Sequence, residues 1–501
     1  RAAVMGVVFL LSIVIGKERE IYSVIALAAM VLLLEDPVRL FEIGFQLSFS
    51  AVFFIVYGYR RLFGSPLLNE ENTKPSKEDT LRKFFLSGKK LFFISLIAGL
   101  ATAPLTAHYF NIVSIISPIS NCIVIPLLSV IVPFCLVISL LSLSWKMGAE
   151  FLLIVPVELS KVVLSVSEVF AKIPLAFVRV STPDPLMVFI QLFFLGYGLT
   201  VFKMGKINKI QLGVFSSLVV CIVAFHLFFG TAEKKSLKVT YLDVGQGNSA
   251  LIQTPQKINV LIDGGGAFGE FSLGRAVVAP FLWKRGITSL DYVIGTHHDK
   301  DHIGGLLFIL KEFKVKEYID NGRNKEELTT RILKVLREKK IHHRVVRKEE
   351  SLVFPSGVHI LFLKPEKVST EKKSDNDSGL VIRTSYGKTS WLFNGDISSR
   401  VEEEVRNNQN ISSTVMDAPH HGSRFSSSAS YIEAVSPEFV VFSVGKRNQF
   451  GHPNTDVLKR YSESGAAIYR TDHHGAVRFE SDGKTLSVHP TVMASTNEHG
   501  L

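Results

Sequence analysis

Cysteine is scarce in this 501-residue chain: Cys122, Cys135 and Cys221 are the full set, each inside an apolar run, and none follows Cys221. That distribution argues against a disulfide framework and excludes a cysteine ligand set for zinc in the second half. Charge is scarce before about residue 230, and long apolar runs are missing after Lys234. With 47% hydrophobic and only 20% charged residues overall, and a mean hydropathy of +0.27, a purely soluble enzyme is excluded. Acids are outnumbered by bases 45 to 56, a net charge of +11. This excess suits an acidic partner, nucleic acid or anionic lipid, or else reflects loop lysines placed by the positive-inside rule. The chain opens on Arg1 rather than Met and lacks the parts of a signal peptide, so a truncated front is expected.

Residues 1–230 read as a polytopic α-helical membrane domain, because a helix needs about 20 residues to cross about 30 Å of hydrocarbon. Seven or eight crossings are expected, near 2–16, 21–35, 40–58, 91–109, 112–126, 127–144, 186–203 and 211–230. Pro118, Pro126 and Pro133 are expected to break the 112–144 run, in packing kinks or along a pore. Between Pro156 and Pro174, the charges at Glu158, Lys161, Glu168 and Lys172 recur at helical spacing, which predicts an amphipathic interfacial helix near 157–172. Gln46, His108 and Asn121 lie in apolar runs, as transport groups or as interhelical hydrogen bonds. Basic loops at 60–90 and 203–210 are expected in the cytoplasm, which places the rest of the chain on the outer face.

From Leu237 short apolar strands alternate with Gly-rich turns and a few helices, a pattern that predicts a layered α/β sandwich over 236–490, followed by a disordered tail at 491–501. Thirteen of the fifteen histidines lie in this half. Strand DYVIG runs into Thr296-His297-His298-Asp299-Lys300-Asp301-His302. Such a density of imidazole and carboxylate calls for a cation to offset its desolvation. The loop can aim His297 and Asp299 at one ion and Asp301 and His302 at a second. Asp396 ends SWLFNGD, placed to bridge the two, and APHHGS offers His420 and His421. The pairs His342-His343 and His473-His474 read as solvated or hydrogen-bonded side chains.

These motifs resemble the metallo-β-lactamase superfamily, whose signature is H-x-[HD]-x-D-H with a later Gly-Asp and a later His. Within it LDVGQGNS at 242–249, LIDGGG at 261–266, PHHGS at 419–423 and FGHPN at 450–454 resemble the ComEC family of DNA-internalization competence proteins. GFQLSFSAV at 44–52 and APLTAHYF at 103–110 resemble that family's membrane domain. The resemblance implies an αββα sandwich with two divalent ions held by His297, Asp299, Asp301, His302, Asp396 and one of His420 and His421, with Asp263 orienting ligands from behind. It implies catalytic roles for Asp301, His452 and Asp243, and substrate contacts from Gln246, Ser423, Ser426 and Asn376. Members usually carry further membrane helices and an OB-like domain upstream. Three departures stand out: Asp299 replaces the commoner second His, Asn376 occupies a region that elsewhere supplies a His, and Asn248 and Gly379 replace acidic and Ser residues. The first two shift the ligands toward oxygen, favouring Mn²⁺, with Zn²⁺ as the other candidate.

The family implies a multi-pass protein of the cytoplasmic membrane that passes single-stranded DNA while its outer hydrolase domain degrades the other strand. Its partners would be DNA, the bilayer, a DNA receptor and a cytoplasmic motor. Two other readings share the motifs: a membrane-tethered phosphodiesterase with a non-DNA substrate, and a transporter whose hydrolase domain is degenerate.

Overall fold

The computed structural model describes residues 6–8, 10, 21–63, 77–203, 236–269, 271–323, 327–347, 349–363, 376–407 and 411–493. The chain divides into two compact units, Arg1–Leu227 and Phe228–Leu501.

The first unit is helical. Its main helices are Ile21–Glu35, Ile43–Phe63, Lys77–Phe110, Ser117–Leu141, Ile154–Ala171 and Pro185–Lys203. Among the described residues, two helical segments are long and apolar enough to cross a membrane, Gly88–Phe110 and Ser117–Leu141, and Ile21–Glu35 and Pro185–Thr200 are shorter apolar helices. The expected spans at 2–16 and 211–230, and the 203–210 loop, lie largely or wholly outside the described residues, as do residues 64–76 of the expected 60–90 loop.

The 112–144 region corrects the sequence reading. It is one helix, Ser117–Leu141, with Pro126 and Pro133 inside it and Pro118 in its first turn. Each internal proline removes one amide donor without ending the helix. The residues before it form strand β1 (Ile112–Ser114), which pairs antiparallel with β2 (Phe177–Arg179). The helix expected near 157–172 is Ile154–Ala171. The polar groups of the apolar runs tie segments together: Tyr109 donates to Gln46 at 2.9 Å, Gln46 donates to the Leu40 carbonyl, and the His108 ring meets the Pro183 carbonyl at 2.8 Å. For Gln46 and His108 this favours interhelical bonding over transport.

In the second unit the strands continue as β3 (Leu237–Tyr241), β4 (Ala250–Gln253), β5 (Asn259–Ile262), β6 (Ala267–Phe268), β7 (Phe271–Ser272), β8 (Ser289–Ile294), β9 (Lys314–Asp320) and β10 (His342–Val345). Then come β11 (Glu350–Val353), β12 (Val358–Leu363), β13 (Val381–Tyr386), β14 (Thr389–Phe393), β15 (Val415–Asp417), β16 (Phe439–Phe442), β17 (Ala467–Arg470), β18 (Val477–Ser481) and β19 (Leu486–Pro490). One mixed sheet runs β10-β9-β8-β5-β4-β3-β18-β19 and the other β11-β12-β13-β14-β15-β16-β17. The pairs within β10-β9-β8-β5 and within β14-β15-β16-β17 are parallel, so their carboxyl ends open on one edge of each sheet.

Three apolar cores define four layers. Val239, Ile252, Phe362, Trp391 and Phe479 pack between the sheets. Leu282, Leu306, Leu310, Ile332 and Leu336 fasten helices to the outer face of the first sheet, and Val401, Tyr431, Ile432 and Tyr461 do so on the second. Helix Glu327–Lys339 shows why: it buries Thr329, Ile332, Val335 and Leu336 at three- and four-residue spacing and exposes the charged remainder. Strand β14, covered on both faces, buries all five residues. The unit is therefore an αββα sandwich. Thr491 and Val492, read from the sequence as part of a disordered tail, bond through their amides to the carbonyls of Ala476 and His474, and 494–501 lie outside the described residues.

Candidate metal centre

The histidines and carboxylates are delivered by the carboxyl ends of β8, β14, β15 and β16. After β8, Asp299 is extended and a short helix, Lys300–Ile303, turns Asp301 and His302 back toward the loop. After β14, Gly395 takes φ +56° and presents Asp396. After β15, His420 and His421 both sit in the left-handed region, at φ 52° and 55°. Two successive non-glycine residues held there carry real strain, the kind that surrounding structure sustains where side chains must be aimed.

Asp396 is the centre. Its Oδ1 lies 3.1 Å from His302 Nε2, and its Oδ2 lies 3.5 Å from His421 Nε2, 3.8 Å from His420 Nε2 and 4.0 Å from His297 Nε2. Asp301 Oδ2 is 3.4 Å from His421 Nε2 and Asp299 Oδ2 is 3.6 Å from His297 Nε2. Two donor groups thus share Asp396: His297, Asp299 and His420 on one side, and Asp301, His302 and His421 on the other. In the second group one ligand atom from each residue, Asp396 included, lies within 4.8 Å of all the others.

Each buried ring is anchored through Nδ1. His302 donates to Asp263 at 2.9 Å and His421 to the Ser443 carbonyl at 2.8 Å. Thr296 gives its hydroxyl proton to Asp263 at 2.7 Å, so at 3.1 Å it accepts from His297. With Nδ1 protonated, each Nε2 turns a lone pair inward. The Nε2 atoms of His297, His302 and His421 and Oδ1 of Asp396 are buried without a hydrogen-bond partner. Four orphaned donors aimed at one space are costly in an empty protein and are satisfied by a divalent cation, so these residues fit one. Asp263, fully buried at φ 55°, holds the loop from behind through the Thr296 amide and hydroxyl and through His302.

Charge follows the same geometry. Burial alone would push Asp396 and Asp301 up. The imidazoles of His421 and His302 overcome it, holding Asp396 well below the usual carboxylate range and bringing Asp301 to about 2. Burial would lower His302, and the carboxylates of Asp396 and Asp263 raise it instead. His420 and His452 are lowered chiefly by burial and stay neutral bases.

The other sequence-designated residues are distributed around this cluster. The His452 ring lies 5.8 Å from that of His420 and 6.4 Å from that of His421. Asn376 opens a 3-10 turn that closes on Gly379, beside His297. Gln246 accepts from the Gly445 amide at 3.4 Å, linking the β3–β4 loop to the loop after β16. Asp243 is exposed and accepts from the Gly245 amide. Ser423 is buried and its hydroxyl accepts from the Phe425 amide. The substrate-facing reading of Ser426 is corrected: its hydroxyl is buried and donates to the Ile397 carbonyl at 2.8 Å, fastening the loop. His342 and His343 are hydrogen-bonded to Glu317 and Asp320.

Sequence reasoning missed a second ring of residues. Asp417, buried at the end of β15, accepts from the Asn394 amide and side chain. Tyr431 donates to Asn394 at 2.6 Å, and Asn248 reaches Asp417 at 3.5 Å. This network fixes the backbone two residues before Asp396. His298, inside the metal loop, faces away from it, toward Thr329 and Asp320. The signals were an acid three residues before the His pair and an Asn just before the Gly-Asp, both too common to weigh alone.

The competence protein family matches residues 1–205 and the metallo-β-lactamase superfamily residues 242–445. The chain is thus similar to competence proteins over its first part and to the metallo-β-lactamase superfamily over its second. It is 30% identical over 512 residues to ComE operon protein 3 of Bacillus subtilis (strain 168), covering 98% of this chain and 62% of that protein. It is 31% identical over 245 residues to competence protein ComA of Neisseria gonorrhoeae, covering 48% of this chain and 32% of that one. The chain therefore spans less than two thirds of either relative. Among solved structures it is similar to a putative metal-dependent hydrolase from Parabacteroides distasonis, at 10% identity and a TM-score of 0.30 over 47% of this chain and 94% of that one. Tm1679, a metal-dependent hydrolase of the β-lactamase superfamily, shows 14% identity and a TM-score of 0.31 over 47% and 95%. The metallo-β-lactamase match spans the motifs at 242–249, 261–266, 297–302 and 419–423.

Proposed function

We propose that this chain serves DNA uptake at the cytoplasmic membrane, its first unit a multi-pass passage for one DNA strand and its second a nuclease acting on the other. The observation that carries the hydrolytic part is the pair of donor groups sharing Asp396, with their inward Nε2 atoms unpartnered. A transporter with a degenerate site would have lost such donors. His297, Asp299, Asp396 and His420 would hold one divalent ion, and Asp301, His302, Asp396 and His421 a second. A bound pair supplies an acidified water and neutralises charge on phosphate oxygens. His452 is assigned the proton transfer, being a neutral imidazole beside both histidines of the 419–422 turn. Asp243, Gln246, Asn376 and the Ser423 loop are assigned to the substrate side. DNA, the bilayer, a DNA receptor and a cytoplasmic motor are the proposed partners.

The reading is tested by stripping the protein with chelator and titrating ions back during hydrolysis of single-stranded DNA. Manganese is expected to restore more turnover than zinc, because Asp299, Asp301 and Asp396 make the ligand set richer in oxygen than a histidine-dominated one. Equal or higher turnover with zinc at every concentration would reject the oxygen-ligand argument, and no turnover with any ion would reject the nuclease. Orientation is tested separately. A reporter fused after Ser236 is expected on the outer face and one inserted near Asn72 in the cytoplasm, and both reporters on one side would overturn that topology.

A further inference from the structure

Large apolar side chains are seldom left exposed in the second unit. Among its described residues the exposed ones are Phe268, Phe271, Phe425 and Phe450, at 54–64% exposure, with Val353, Val492 and Met493. Phe425 and Phe450 lie on loops at the metal-binding edge, and Phe268 and Phe271 on a short hairpin beside it. Phe268 and Phe271 belong to the β6–β7 hairpin, and the Phe268 ring packs on Gly266. A Cβ on that glycine would stand 3.1 Å from the ring and 3.6 Å from Asp301 Cα. The Phe450 ring stacks on His452 at 5.9 Å and 28°, and His452 in turn faces His420 and His421. Phe425 lies two residues beyond Ser423.

Cations stand on the same loops or line the cleft beside the hairpin. The Arg424 guanidinium lies 4.7 Å over the Phe425 ring. Exposed Lys446 and Arg447 share the Phe450 loop. Lys300 and Arg331, with Glu327, line an open cleft of about 460 Å³ against Ala267 and Gly269 of the hairpin. The rings stand on three separate loops around the donor cluster instead of forming one continuous apolar face. Isolated aromatic rings alternating with cations suit a flexible polyanion with planar groups, whose bases stack on the rings while its phosphates meet the cations.

We infer that Phe268, Phe271, Phe425 and Phe450 are stacking platforms for unpaired bases, so that the site selects a strand whose bases are free over one locked in a duplex. This deepens the nuclease reading and rests on it. Duplex bases are already stacked and paired, and presenting them to the rings costs the separation of each step.

The test uses the full chain in detergent with chelator present. It compares binding of a fluorescent single-stranded oligonucleotide with that of an abasic strand of equal length, which keeps the phosphates and lacks the bases. The wild-type protein is expected to prefer the base-bearing strand by about tenfold or more for each stacked base. Phe268→Ala with Phe271→Ala, and separately Phe450→Ala, should bring the preference toward one, and Phe450→Tyr should restore it. Arg331→Ala and Lys446→Ala should weaken both strands alike and reduce the salt dependence. Wild-type manganese content in every variant, measured after reloading without chelator, shows that the fold is kept. Equal binding of the two strands by the wild type, or a preference that survives the Phe→Ala changes, overturns the inference. So does a loss confined to binding of anionic vesicles, which would make the rings a membrane contact. If neither strand binds, the nuclease reading fails with it. If both bind equally and are cleaved once manganese replaces the chelator, that reading stands and only the platforms fall.

Discussion

Asp301→Asn is expected to lower phosphodiester turnover by roughly a thousandfold or more, with loss of bound metal and little change in folding. The substitution keeps the side chain's shape while removing the charge that faces His421 at 3.4 Å. His302→Ala should have the same kinetic effect with an added loss of stability, because it strands the buried Asp263 carboxylate. Asp263→Asn acts one step further out. It weakens the hydrogen bond that orients His302, and metal affinity should fall about 10- to 100-fold. His473→Ala, whose ring is 44% exposed beside Asp472, should change nothing measurable. Turnover, bound metal and far-ultraviolet circular dichroism on each variant decide the matter: unchanged turnover together with unchanged metal content in Asp301→Asn would remove it from the site.

The second large effect concerns pH. Burial pushes Asp417 up to about 7, against the lowering influence of the hydrogen bonds from Asn394. An unfolded aspartate titrates near 3.9, so the folded protein binds this proton more tightly than the unfolded chain does. Its contribution is complete below about pH 4 and is lost as pH rises toward 7, at a total of about 4 kcal/mol. The amide introduced by Asp417→Asn is neutral at every pH and is accommodated by the partners already present. Asn248 Oδ1 is buried without a partner, so the Asn248 amide can turn over and accept from the new one. The variant is therefore expected to gain stability over wild type at pH 8 and none at pH 4. Denaturant transitions followed by fluorescence give the difference between the two proteins at each pH. A difference that stays constant from pH 4 to 8 would show that Asp417 is charged throughout.

The same network bears on Asn248, one of the departures read from the sequence: its side chain reaches a carboxylate that comes from β15, Asp417. The acid is supplied by the facing sheet, and no reading of positions 242–249 alone reveals it.

Much of the architecture was legible because it depends on local periodicity. The strand read in DYVIG is β8 and the strand that ends in SWLFNGD is β14. Strands such as β9, β10 and β19, and the helix at 429–435, escape the sequence reading. Each is short or mixed in polarity and owes its form to the sheet or core it joins. Over 112–144 proline was read as a stop, whereas a helix loses one hydrogen bond per proline and keeps its direction when neighbouring turns hold.

By itself the sequence singled out the residues proposed to hold a cation, since the histidines and aspartates crowded into 297–302 and the Gly-Asp and His-His motifs have few other uses. It also determined the division between an apolar helical half and an αββα half, because composition and period change abruptly between them. Only the tertiary structure decided that both His420 and His421 reach Asp396, that Ser426 fastens a loop, and that four exposed phenylalanines gather at one edge. These are statements about distance between strand ends far apart in sequence, and distance is set by how two sheets face each other across a common core, which no local pattern encodes.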